Sequence, residues 1–290
     1  MIKQSLLLLL FIILSACGGS SSTSSPTRST IPSSGSIPNS QAVPSADHIR
    51  PGVEIVADGS SCTSNFLFSP NPQTVYIGVA AHCFSPDTNS GVDPCESNNL
   101  AIGYNEISIA NASEPGELVY TSWRAMQEAG ETVGSDICQY NDFALVKIHP
   151  NDLANVHPAA IAFGGPTALF TGTAAVGAGV FAYGQSPLHF GVRSREAKKG
   201  QITGVLGDGW AYDIVTDTPS LSGDSGGPIF TADGKALAAT SVLSLSVSVN
   251  PVSNGVVNLE RALQYAKNGG FINSGTKLLT WSEFHSGGDL

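Results

Sequence analysis

An all-β fold with one late helix is what this sequence predicts, and three observations carry that prediction. Turn formers are plentiful, with 32 Gly and 17 Pro in 290 residues, while only 12% of residues are charged. That profile suits a turn-rich β protein better than a helical one. Short runs of β-type residues alternate with turn clusters along most of the chain. Helical periodicity is scarce and is concentrated near the C-terminus. A sandwich or a barrel is the architecture such a pattern builds.

The first segment reads as a targeting signal and not as fold. Met1-Ile2-Lys3-Gln4 gives a short basic start, and Ser5 to Leu14 is nearly all apolar. This stretch is too short for a comfortable membrane span and matches a secretory h-region. Leu14-Ser15-Ala16-Cys17 resembles the bacterial lipobox, which implies a signal peptide over residues 1–16 and acylation of Cys17. Several chains on one residue give durable membrane anchoring. Gly18 after the cysteine implies, by the same resemblance, export to the outer membrane of a Gram-negative cell, at its periplasmic face or the cell surface. Gly18 to about Val43 is Ser, Thr, Pro and Gly with almost nothing apolar, so it cannot offset its ordering entropy and reads as a flexible tether. The lipidated cysteine and linker are assigned to residues 17–50, and one folded domain to residues 51–290.

Within that domain the apolar runs follow in order. Val53 to Val56 and Asn65 to Phe68 are bounded by Asp-Gly and Pro-Asn-Pro. Val75 to Ala80 ends at His82. Ile107 to Ile109, Leu118 to Tyr120 and Phe143 to Ile148 complete the first half. The second half holds Ala175-Val176, Val180 to Tyr183, Gly200 to Val205, Pro228 to Phe230 and Leu237 to Val249. Asn258 to Lys267 is the candidate helix, with Leu259, Leu263 and Ala266 on one face.

Charge and cysteine usage exclude some functions. A formal net charge of −10 argues against a nucleic-acid partner, because phosphate binding needs a basic surface. The most basic stretch, Arg193 to Lys199, contains Glu196 and reads as a solvated loop. Setting Cys17 aside leaves Cys62, Cys83, Cys95 and Cys138, an even number in an exported chain, so two disulfides are expected. Four cysteines allow three pairings. No CxxC or HxxxH spacing supports a zinc site.

Three segments carry chemistry together: Val79-Ala80-Ala81-His82-Cys83, Asn141-Asp142-Phe143-Ala144-Leu145-Val146 and Gly223-Asp224-Ser225-Gly226-Gly227-Pro228. A serine hydroxyl needs an adjacent base to act as a nucleophile, and a histidine base needs a carboxylate to fix its tautomer. Each segment sets one such residue beside an apolar strand, in the order His, Asp, Ser. His48, His149, His157, His189 and His285 have no comparable setting and read as surface or turn residues.

These segments resemble the trypsin/chymotrypsin-like serine proteases, and the resemblance runs from about Gly52 to Lys267. It implies two six-stranded antiparallel β-barrels followed by a short C-terminal helix. It implies a serine endopeptidase acting on protein or peptide substrates through an acyl-enzyme. His82 would be the general base, Asp142 its orienting acid and Ser225 the nucleophile, with the Gly223 and Ser225 amides as the oxyanion hole. No metal or organic cofactor is implied. Cys62 and Cys83 fall where the family has a disulfide beside the histidine, which leaves Cys95 with Cys138. Ala182-Tyr183-Gly184 looks like a Trp-Gly landmark of the second barrel, and Asn254 to Leu259 resembles its last strand.

Two departures from the family pattern stand out. Pro219 occupies the floor position of the substrate pocket, where a trypsin-like enzyme carries Asp. Ser241, followed by Val242 and Leu243, matches the opposite wall. A small or apolar residue before the cleaved bond is therefore expected, with Asp217 two positions from the floor as the rival register. Asp224 would pair with a new N-terminus in animal members; here a basic side chain or backbone amides are expected instead. A protease-fold binding or adhesive module and an esterase using the same three residues are the alternative readings. Residues 268–290 carry no motif.

Overall fold

Short strands joined by turns and loops make up most of the molecule. Residues 43–87, 91–241 and 253–287 are described in the computed structural model, and they lie within one compact unit. The assignments to residues 1–42, Cys17 among them, and Val242 with Leu243 lie outside the described residues. β1 (Glu54–Ala57) and β2 (Ser60–Thr63) form a hairpin. Its turn is Asp58-Gly59, with φ of 46° and 80°, the mirror-image turn that Asp-Gly favours.

The rest of the first half is β3 (Leu67–Asn71), β4 (Thr74–Val79), β5 (Ser108–Ile109), β6 (Glu117–Thr121) and β7 (Ala144–Lys147). These strands make a sheet β2-β1-β5 and a sheet β3-β4-β7-β6. Two seams connect the sheets. On one side β2 runs on towards β3, and Asn65 N donates to Gly78 O while Gly78 N donates to Phe66 O, each at 2.8 Å. On the other side Ile107 bridges Gly116, and Leu118 N donates to Tyr104 O at 2.7 Å. Isolated bridges, in place of one continuous ladder, carry the chain around this first half.

The second half closes fully. It contains β8 (Gly179–Tyr183), β9 (Ala197–Leu206), β10 (Ala211–Thr216), β11 (Pro228–Thr231), β12 (Ala236–Thr240) and β13 (Asn254–Asn258). The barrel order is β10-β13-β12-β11-β8-β9. Val180, Ile202, Tyr212, Ile214, Ile229 and Val256 fill its interior. Closure leaves no unpaired strand edge.

Helices are short. α1 (Ser122–Ala129) and α2 (Asp136–Tyr140) lie between β6 and β7, and α3 (Arg193–Glu196) precedes β9. α4 (Leu259–Asn268) is the expected late helix: the Asn258 side chain accepts from Arg261 N, and Leu259, Ala262, Leu263 and Ala266 are buried. The reading of Arg193 to Lys199 as a solvated loop is corrected. It is a helical turn leading into β9, and Lys198 on that strand is 1% exposed.

The segment after α4, silent in sequence, is a strap across both halves. β14 (Lys277–Leu278) adds to β3. Trp281 N then donates to Pro166 O, Gly165 N to Glu283 O and His285 N to Phe163 O. Phe284 meets Phe163, Phe181 and Phe230 with ring centroids 5.6–6.3 Å apart, and its ring takes the space a side chain on Gly234 would need. Because Phe284 is half-buried, Phe284→Ala is expected to lower stability by about 3 kcal/mol, the low end for removing a packed aromatic. Urea denaturation with the disulfides intact measures this.

Candidate active site

His82 and Asp142 are delivered by neighbouring strands of the first half. β4 ends at Val79 and passes into a tight helical turn, Ala81–Phe84, that buries His82. The Cys62–Cys83 disulfide fastens this turn to β2. β7 pairs with β4, and Asp142 lies just ahead of β7. Ser122 clamps its two neighbours, donating from Oγ to Asn141 O at 2.6 Å and accepting from Phe143 N at 3.1 Å.

The contact between the two residues is direct. His82 Nδ1 is 2.7 Å from Asp142 Oδ2, and His82 N donates to Asp142 Oδ1 at 2.9 Å. Ser241 Oγ donates to Asp142 Oδ2 at 2.5 Å. Burial pushes the Asp142 carboxyl up, but the adjacent His82 ring and the hydrogen bonds from His82 and Ser241 outweigh it and hold the group below its ordinary 3.8. Ser241, expected on a pocket wall, thus spends its hydroxyl on this carboxylate.

Ser225 sits on the turn before β11 and is 5% exposed. Gly223 and Gly226 have φ of 100° and 86°, which bulkier residues rarely adopt. A side chain on Gly226 would meet Thr63 O at 2.5 Å and Ala80 N at 2.8 Å. The turn therefore packs on β2 and on the end of β4, two residues before His82. Thr63 fixes it further, donating from N to Ser225 O at 2.8 Å and from Oγ1 to Gly223 O at 2.7 Å. The Asp224, Gly226 and Gly227 amides donate to Leu221 O, Thr240 O and Asp224 O. Among the described residues, the Gly223 and Ser225 amides donate to no protein group.

Asp224 is fully buried under this turn. Lys198 Nζ donates to its Oδ2 at 2.5 Å, and His189 Nε2 lies 2.7 Å from Oδ2 and 3.0 Å from Oδ1. Ser186 N and Leu221 N donate to it at 2.9 Å each. The carboxylate thus has both kinds of partner expected of it, basic side chains and backbone amides. Burial pulls the Lys198 ammonium below its ordinary value, and Asp224 opposes that pull. His189 is 0% exposed and His157 1%, which corrects their reading as surface or turn residues. His157 stacks on His48 and meets Trp281 edge-on.

Pro219 lies half-buried in the segment after β10. Its neighbour Ser220 donates from N to Asn254 Oδ1 at 2.9 Å, joining the segment to the start of β13. Asp217 is turned to β9, where its carboxylate accepts from Lys199 N at 3.0 Å. Cys95 pairs with Cys138 and links the segment before β5 to α2. Cys62, His82 and Cys83 form one group with metal-ligand spacing, and Asp93, Cys95 and Cys138 another. In both, the sulfurs are consumed by the disulfides.

Two antiparallel β halves with a His–Asp couple and a Gly-Asp-Ser-Gly-Gly turn at their junction define the serine-type endopeptidase class. Residues 63–238, more than half of the chain, match the trypsin-like peptidase domain, and the chain belongs to that family. No curated protein matches it. Among solved structures, Thermobifida fusca protease A is similar at 17% identity, over 80% of this chain and 98% of its own, with a TM-score of 0.49. Cellulomonas bogoriensis chymotrypsin is similar at 17% identity, over 80% and 98%, with a TM-score of 0.44. Nocardiopsis protease is similar at 16% identity, over 79% and 98%, also with 0.44.

Two outcomes follow from this electrostatics. Lys198→Met is expected to cost about 3 kcal/mol in urea denaturation, because it strands a buried carboxylate without its ammonium partner. Asp142 is held below 3.8, so its contacts stabilise the fold fully above that value and lose their effect as pH falls through the depressed one. The stability gap between wild type and Asp142→Asn should therefore shrink as pH falls below about 4.

Proposed function

We propose that this chain is an exported, lipid-anchored serine endopeptidase in which Ser225 attacks the peptide carbonyl. The observation that carries the reading is the convergence of the His82–Asp142 couple and the Ser225 turn on one seam between the halves. His82 takes the Ser225 proton through Nε2, since Nδ1 is committed to Asp142. The oxyanion lies on the Gly223 and Ser225 amides, which among the described residues donate to no protein group. His82 then protonates the departing amine, and water hydrolyses the acyl-enzyme by the same route.

The residue before the cleaved bond is small or apolar in this reading. Pro219 brings no charge to the pocket floor, and the Asp217 carboxylate accepts from the Lys199 backbone amide on β9, which argues against the rival register. The anchor is Cys17, supported by its lipobox setting. It holds the domain at the outer membrane by a tether of Ser, Thr, Pro and Gly.

A fluorophosphonate probe tests the reading. Wild type is expected to label and Ser225→Ala to remain unlabelled, with kcat/KM on a peptide substrate lowered by at least about 10³-fold. An unlabelled wild type would sink it. Cleavage of a peptide library with a strong Lys/Arg preference would overturn the pocket assignment. Incorporation of a labelled fatty acid should disappear in Cys17→Ser.

A further inference from the structure

Between β6 and β7 the chain leaves the sheet as α1, a loop and α2, and Asp142 stands at the end of that excursion. Helices of eight and five residues without side-chain caps do not hold themselves in water. Their position comes from outside contacts, and one set of these converges on a single turn, residues 93–97. Gln127 on α1 donates from Nε2 to Ser97 O at 2.7 Å and to Pro94 O at 3.3 Å. In the loop, Gly134 N donates to Asp93 Oδ2 at 2.9 Å. On α2, Cys138 is bonded to Cys95. Asp93 also closes the turn itself, accepting from Cys95 N at Oδ1 and from Glu96 N and Ser97 N at its carbonyl oxygen.

The same segment then reaches the turn that carries His82. Leu100 N donates to Phe84 O at 2.8 Å, and Ser85 Oγ donates to Asn98 O at 2.6 Å. Asn99 Nδ2 donates to Ala81 O at 3.4 Å, and Asn99 O accepts from Arg124 of α1 at 3.3 Å. Phe84, Trp123, Met126 and the cysteines of both disulfides share one buried cluster. From α2 the position passes straight to Asp142, because Asn141 N donates to Ile137 O and Asp142 N to Tyr140 O. Residues 93–100 are thus bonded to the carrier of His82 at one end and to the carrier of Asp142 at the other.

We propose that residues 93–100, locked by Cys95–Cys138, are a positioning brace that holds the His82–Asp142 couple in register for proton transfer. It rests on the reading of His82 as the general base. The brace acts through His82 and Asp142 and not on the substrate. A misplacement of about 1 Å in reacting groups costs about 10²-fold in rate, so a covalent tie shortly before Asp142 bears directly on turnover.

Variants separate this role from a general gain in stability. Cys95→Ser/Cys138→Ser removes the lock. Gln127→Ala removes the α1 tie and keeps both disulfides, and Phe284→Ala loosens the C-terminal strap as a control. With an alanyl peptide p-nitroanilide, the double variant is expected to lose about 10- to 100-fold in kcat, with KM within about 2-fold of wild type. Gln127→Ala should lower kcat by about 3-fold and Phe284→Ala by less than about 2-fold. The second readout is the far-downfield proton NMR resonance of the short Nδ1–H···Oδ2 hydrogen bond. It should broaden in the double variant and in Gln127→Ala, and stay sharp in Phe284→Ala. If the double variant does not fold, Gln127→Ala decides on both readouts. An unmoved kcat and resonance overturn the brace, as does a loss in Phe284→Ala equal to that of the double variant. A raised KM at constant kcat assigns these residues to substrate contact and also overturns it. Wild type that shows the resonance but does not label with a fluorophosphonate overturns the protease reading, and the resonance then decides the brace alone.

Discussion

Everything around Ser225 depends on a buried carboxylate being held still. Asp224 is enclosed, with Lys198 and His189 on its oxygens and two backbone amides completing the shell. An unpaired charge at such depth would be expelled or neutralised. The shell prevents that, and it ties β9, the 186–190 segment and the Ser225 turn to one point. Gly184 is part of the arrangement, since a side chain there would occupy the space of the carboxylate. Its basic partners, Lys198 and His189, both come from within the domain.

The other half of the site is held by different means. His82 is fixed covalently through Cys83 and electrostatically through Asp142. Asp142 is fixed by Ser122 acting on its neighbours and by Ser241 from the second barrel. Thr63 reaches the opposite way, from the first half to Gly223 and Ser225. Each half thus supplies hydrogen bonds that hold a candidate site residue or turn of the other. The C-terminal strap, with Phe284 in an aromatic cluster and β14 on β3, opposes separation of the halves along the same seam.

Much of this was legible because chemistry at the site demands particular residues in a particular order. Ala80-Ala81-His82-Cys83, Asp142 before an apolar strand and Gly223 to Pro228 can be read without coordinates. The late helix was equally plain from its Asn258 start and apolar spacing. What escaped has physical reasons. β2 is Ser-Ser-Cys-Thr and β10 carries Asp213, so neither shows apolar alternation. α1 and α2 are short, and neither starts with a side-chain cap. Lys198 read as solvated because its chain neighbours are charged. Its burial follows from strand alternation on β9, which turns Lys198 inward and Lys199 outward, and from a carboxylate 26 residues away. His189 was hidden for the same reason, since its partner is distant in sequence.

The same alternation bears on why class is easier to read than substrate. Residues that hold the reactive groups face inward, where each must satisfy a specific partner, and such constraints leave recognisable patterns. Residues that meet the substrate face outward on connecting segments, where solvent tolerates many side chains. The 186–192 segment does both within a few residues: Ser186 and His189 point in to Asp224, while Leu188 and Phe190 point out. Its backbone is pinned from beneath by the carboxylate shell, so its outer side chains can be exchanged at little expense to the turn. Motif reading therefore ends where this segment reaches solvent.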